Sequence, residues 1–178
     1  MFNFYKLNQI LENQEKVLIP RRSKDERQKQ FELVIQRKIQ QYIKNGSKGD
    51  LDLSFKPITT LPNNLTVGGT LNLNGTKITT LPNNLTVNGN LSLSHTKITT
   101  LSDNLTVGGT LYLSNTLITT LPKKNLTVGG NLYLQNIPIT SLPENLTVGN
   151  TLYLNGTKIT TLPNNLKVGR SLYLNYTN

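Results

Sequence analysis

The sequence predicts an α/β solenoid: a coil of about six and a half repeats of 20 residues, joined through a parallel β-sheet, with a helical cap at its N-terminal end. Three observations predict it. A unit of nearly constant sequence recurs from Leu51 onward, each copy opens on an alternating Leu-x-Leu step, and residues 1–50 lack the unit. A fixed period of this size marks an architecture in which one unit cannot bury its apolar face alone. The chain therefore divides into a helical segment, 1–50, and a solenoid, 51–178.

Residues 3–14 read as a short helix, with Asn3 as its cap and Phe4, Leu7, Ile10 and Leu11 on one side. Val17-Leu18-Ile19-Pro20 is a brief apolar connector that proline closes. Ser23 followed by Glu26 is a capping box and starts a second helix. Phe31, Ile35, Ile39 and Tyr42/Ile43 give that helix one apolar face. Lys44, Asn45 and Gly46 end it, a cation near the negative pole and then a glycine past the last turn. The first coil of a solenoid exposes apolar residues and an unpaired strand edge, so this face is expected on Leu51, Leu53 and Ile58.

Copies of the unit begin at Leu51, Leu71, Leu91, Leu111, Leu132 and Leu152, with a fragment at Leu172. In Leu71–Asn90 the apolar positions are Leu71, Leu73, Ile78, Leu81, Leu85 and Val87. Alternation puts Leu71 and Leu73 on one side of a strand and Asn72 on the other. A second extended piece, Leu-Thr-Val, alternates in the same way at 65–67, 85–87, 105–107 and 126–128. Gly-Gly or Asn-Gly turns the chain at one corner and Leu-Pro turns it at the other. Only the copy from Leu111 is longer, at 21 residues, because of Pro122-Lys123-Lys124-Asn125.

These residues resemble the leucine-rich repeat, L-x-x-L-x-L-x-x-N-x-L. Leu71, Leu73 and Ile78 match its second, third and last apolar positions. Its asparagine is threonine here (Thr76, Thr96, Thr116, Thr157, Thr177), with Lys56 and Ile137 in two other coils. Its first leucine is a glycine, such as Gly68 or Gly108, with Val67 or Val107 filling the gap. The short Leu-Pro unit is similar to that of bacterial LPX-type effectors and of repeat proteins from phages and large DNA viruses. The resemblance covers residues 51–178 and implies a right-handed coil, binding of proteins and no particular chemistry. One effector branch is a ubiquitin ligase whose catalytic cysteine lies in a further domain. This chain has no cysteine, so that activity does not carry over.

Composition narrows the chemistry. Without cysteine there are no disulfides, thiolate metal sites or cysteine nucleophiles. Among the titratable groups of the solenoid, Asp52, Asp103, Glu144 and the single histidine, His95, form no recognisable triad, opposed carboxylate pair or ligand spacing. No cofactor, metal or catalytic residue is expected. No apolar run reaches the roughly 18 residues of a membrane span, and the first residues carry no secretory pattern. A cytoplasmic or particle-associated protein with no membrane partner is the expectation. Alanine and tryptophan are absent while Asn, Ile, Lys and Tyr abound, the residue usage of an AT-rich genome.

The net charge is +10, and residues 1–50 carry the denser charge, with 11 Lys/Arg against 6 Asp/Glu. Arg21, Arg22, Lys24, Arg27 and Lys29 are candidates for phosphate or acidic-partner contacts, which makes nucleic-acid binding the rival reading. The outward strand position runs Asp52, Asn72, Ser92, Tyr112, Tyr133, Tyr153, Tyr173. The four tyrosines, with Gln135 and Asn155 two residues on, form a candidate partner surface, since tyrosine offers large, stiff contact area with a polar tip. Tyrosines about 4.8 Å apart leave no slot for a base between them, which favours a protein partner. Leu117, Lys123 and Lys124 break the repeat in its middle coils and are a second candidate contact. The strand around Leu172, Leu174 and Tyr176 is a candidate oligomer edge. The function expected is protein binding without catalysis, as a phage or viral inhibitor of a host protein or as a particle component.

Overall fold

The computed structural model describes residues 23–123 and 126–174. Among the described residues one helix, α1 (Lys24–Lys44), leads into a parallel β-solenoid of about six turns. The predicted helix over 3–14, together with Arg21, Arg22, Lys124 and Tyr176, lies outside the described residues.

Each coil contributes two short strands. The Leu-x-Leu steps form β1 (Leu51–Asp52), β3 (Leu71–Asn72), β5 (Leu91–Ser92), β7 (Leu111–Tyr112), β9 (Leu132–Tyr133), β11 (Leu152–Tyr153) and β13 (Leu172–Tyr173). They pair in that order in a seven-stranded parallel sheet, with Leu on Leu at every rung. The Leu-Thr-Val pieces form β2 (Thr66–Val67), β4 (Thr86–Val87), β6 (Thr106–Val107), β8 (Thr127–Val128), β10 (Thr147–Val148) and β12 (Lys167–Val168). These pair among themselves, so the described residues form two parallel sheets rather than the single one expected. Alternation explains the second sheet. Its valines from Val67 to Val148 are buried and its threonines face out, the same half-buried pattern as the leucine strands.

Between the sheets lies one continuous core of Leu, Ile and Val, with Leu71, Leu73, Ile78, Leu85 and Val87 fully enclosed in the second coil. The buried threonines Thr76, Thr96, Thr116 and Thr157 each donate a hydroxyl to the leucine carbonyl three residues back, at 2.7–2.8 Å. Each hydroxyl therefore closes the turn of its own coil, where the resemblance puts asparagine. The chain makes that turn through a left-handed residue: Phe55, Gly75, His95, Asn115, Asn136 and Gly156 all have φ between +55° and +71°. Glycine and asparagine adopt this conformation at least cost, which explains most of that column.

The extra residue of the fourth coil leaves the leucine rungs untouched. Leu111 still pairs with Leu132 and Tyr112 with Tyr133, while Val107–Val128 is the one rung between β6 and β8. The insertion is thus absorbed at the Leu-Pro corner. In the coil before it, Ser102 stands where other coils carry Pro62, Pro82, Pro122, Pro143 and Pro163. Its Oγ is buried and has no hydrogen-bond partner. Its carbonyl accepts the Leu105 amide at 3.2 Å, as that of Pro163 accepts Leu166 at 3.2 Å, so the turn suits proline. Ser102→Pro is expected to raise stability by about 1 kcal/mol, through removal of the orphaned hydroxyl and a stiffer unfolded chain. A urea midpoint that moved down would show that the corner needs the serine.

α1 caps the first coil. Ser23 Oγ accepts the Glu26 amide at 3.1 Å, and Glu26 Oε2 accepts that of Ser23 at 2.8 Å, closing the expected capping box. Ile35 and Ile39 are buried on the coil and Tyr42 packs beside them. The helix also satisfies backbone groups of the open end. Lys38 Nζ donates to the Asp52 carbonyl at 3.2 Å and Gln28 Nε2 to that of Pro57 at 3.1 Å. The Tyr42 hydroxyl accepts the Gly68 amide at 3.1 Å and faces the Ser47 carbonyl at 2.7 Å. One expectation is corrected here: Phe31, 61% exposed, and Ile43, 38% exposed, are not buried on the first coil. A coil end is only one chain thick, so a straight helix covers it with a stripe narrower than its full apolar arc.

Candidate interaction surface

The seven-stranded sheet carries its outward residues in rows, because parallel pairing in register places the same position of each coil side by side. Tyr112, Tyr133, Tyr153 and Tyr173 stack along one row. Ring centroids are 4.9, 4.4 and 5.0 Å apart, and the planes are parallel within 6°. The first three rings are half-buried by one another and Tyr173 is exposed. Beside the row, Ser114 Oγ donates to Gln135 Oε1 at 2.8 Å, and Asn155 is half-buried. The structure therefore brings together the tyrosines, Gln135 and Asn155 as one surface.

The same row changes character in the early coils. Ser92 Oγ donates to Asn74 Oδ1 at 2.7 Å, and Asn72 Oδ1 accepts the Asn74 amide at 3.1 Å. Asp52 Oδ1 accepts the Ser54 amide at 3.0 Å, and that bond is the main reason its carboxyl ionises more readily than usual, with Lys38 and Lys56 assisting. One half of the face is aromatic and the other is low, polar and anionic at its end.

Burial raises the Tyr133 hydroxyl above the ordinary tyrosine value, and the neighbouring Tyr153 adds to the shift. The folded state then holds a proton that the unfolded chain releases near pH 10. Stability from this source is complete below that pH and is lost as pH rises toward the folded value. An ultraviolet titration of phenolate absorbance should show part of the tyrosine ionising later than in the urea-unfolded chain. Identical curves for the two states would contradict the packed row.

The remaining candidates lie elsewhere. Leu117 is exposed on the arm between the two sheets, and its amide bonds to the Ile98 carbonyl at 3.1 Å. Lys123 lines a concavity of about 530 Å³ at the Leu-Pro corners, together with Asp103 and Glu144. Neither residue belongs to the tyrosine row. Ile137, part of the same irregular pair of coils, is buried where its neighbours carry threonine. Lys24, Arg27 and Lys29 are exposed on α1. Leu172 is half-buried, and Tyr173 and Leu174 are exposed, on and just after the edge strand β13. His95 occupies an exposed turn. Among the described residues no group of three His, Cys, Asp or Glu is placed to hold a metal, and no helix is long and apolar enough to cross a membrane.

Sequence reasoning missed Phe55. It is 79% exposed and left-handed at φ 55°, in the turn position that other coils fill with glycine, histidine or asparagine. The signal was present as a phenylalanine in a column of small or polar turn residues. Comparison of the chain with known protein families and with characterised proteins finds no match.

Proposed function

We propose that this protein is a non-enzymatic interaction module, a right-handed leucine-rich-repeat-type coil that binds a protein partner through the tyrosine row. The observation that carries the reading is the row itself: three ring pairs held parallel at 4.4–5.0 Å on a rigid sheet. Stiff aromatic groups lose little freedom on binding, so such a row makes a preorganised contact. A ring spacing of 4.4–5.0 Å also supports a protein over a nucleic acid, because a base cannot enter between rings already in contact. Residue usage and the short Leu-Pro unit support a phage or viral origin, with a host protein as the partner.

The test is affinity capture from the source cell, using the full chain and a Tyr133→Ala/Tyr153→Ala form side by side. A protein retained by the first and lost from the second is the partner. Equal retention of every captured protein by both forms would overturn the reading. Co-purification with particles at fixed stoichiometry would reassign the chain as a particle component.

A further inference from the structure

The cap carries an exposed surface that meets the solenoid only at its edge, where Lys38 donates to the Asp52 carbonyl. On α1, Lys24, Arg27, Phe31, Val34, Lys38 and Gln41 follow one another at alternating steps of three and four residues, and all six are exposed. That spacing lines them along one side of the helix, the pattern with which one helix meets another. Phe31 and Val34, 61% and 52% exposed, form its centre, and lysine and arginine flank them. The helix acids do not balance this stripe: Asp25 and Glu26 fall on other faces, and Glu32 is engaged by the Thr59 hydroxyl at 3.0 Å.

Phe55 is a further exposed apolar side chain, on the first coil. In sequence it lies between Asp52 and Pro57, whose carbonyls take the bonds from Lys38 and Gln28, so its segment runs beside α1 between those two helix residues. Its ring rests on Gly75, where a Cβ would meet the ring at 2.6 Å, and its outer side is open. A bulky side chain in a left-handed turn is unfavourable, and an exposed one gains no core packing in return. Phe55 bears both penalties, and a contact from outside the chain would offset them.

We propose that the Phe31–Val34–Phe55 surface docks an amphipathic helix of a partner protein whose apolar stripe is bordered by glutamate or aspartate. The basic flanks select acidic borders, and the apolar centre takes the partner's own stripe. The stripe from Lys24 to Gln41 spans roughly 25 Å at about 1.5 Å per residue, the length of a partner helix of about 18 residues. The proposal rests on the reading of the chain as a protein-binding module, but it does not depend on the tyrosine row.

The experiment uses the full chain and a fluorescent peptide of three heptads with leucine at the seam and glutamate on both borders. Anisotropy should show saturable binding that weakens with salt, and a peptide with lysine for glutamate should not bind. Val34→Glu and Phe55→Gly should each weaken binding about tenfold or more. Lys24→Glu with Arg27→Glu should weaken it and flatten the salt dependence. Phe55→Gly should melt no lower than the parent, because glycine suits the turn, which separates a binding role from a structural one. Tyr133→Ala should leave peptide affinity unchanged, so loss of the tyrosine reading and loss of this one are distinguishable. No binding by the folded parent, or equal binding of the lysine peptide, overturns the proposal. So do nuclear Overhauser contacts from the Phe31 or Val34 side chain to residues 1–22 in the free monomer, which would assign the stripe to the chain's own N-terminal residues. A dimer abolished by Val34→Glu would assign it to a second copy and overturn it equally.

Discussion

Leu113→Ala is expected to remove about 2–5 kcal/mol of stability, the usual loss for a fully enclosed leucine whose neighbours relax only in part. Leu113 has no exposed surface and sits in the fourth coil, with coils packed against it on both sides. Its backbone bonds, from its amide to the Tyr133 carbonyl at 3.0 Å and from the Thr116 hydroxyl to its own carbonyl at 2.8 Å, do not involve the deleted atoms. The change is therefore a cavity and little else. Domains of this size are stable by only about 5–15 kcal/mol, so the loss is a large share of the total. Leu172→Ala, half-buried on the edge strand, should be much milder. Urea unfolding followed by circular dichroism tests both. A loss below about 1 kcal/mol for Leu113→Ala would mean that the middle of the stack is not close-packed.

The second large effect concerns binding. Tyr133 is an inner ring of the row, with Tyr112 on one side and Tyr153 on the other. Removing it opens a gap in a surface that works by being continuous. Tyr133→Ala is expected to weaken the partner complex by about 2 kcal/mol or more, roughly 30-fold, as for a central aromatic anchor. Tyr112→Ala, at the end of the row, should cost less. Stacking of Tyr133 on each of its two neighbours is worth about 0.5–1.5 kcal/mol, so a variant without that ring should stay folded. Calorimetry with the captured partner separates the two quantities. Unchanged affinity in a folded Tyr133→Ala protein would sink the tyrosine reading.

Much of this architecture was legible because the chain writes the same instruction repeatedly. Leu-x-Leu and Leu-Thr-Val each declare a strand with one buried side, and the fixed period forces like onto like, so the tyrosine row could be read from residue order alone. The pairing of Leu-Thr-Val pieces into their own sheet was less visible. A two-residue strand announces its burial pattern but not its partner. The helix face was misjudged at Phe31 and Ile43, because periodicity shows which residues share a side but not how wide the surface beneath them is. Phe55 was passed over for a related reason. Its oddity lies in backbone conformation and exposure together, and neither is carried by an apolar pattern. The orphaned Ser102 hydroxyl is of the same kind, since a serine replacing proline looks harmless until its surroundings are known.

The fourth coil's extra residue disturbs one rung of one sheet and leaves the other in register. Length changes at that corner are therefore nearly invisible to the tyrosine side, and the same holds for whole units, since each coil touches only its neighbours. A gene encoding such a chain can gain or lose copies by recombination without inventing a new fold. Every added copy of the unit from Leu132 would lengthen the aromatic strip by one rung of about 4.8 Å. The reach of the protein across its target is thus set by arithmetic on the number of copies, a dial that natural variation and protein engineers can both turn.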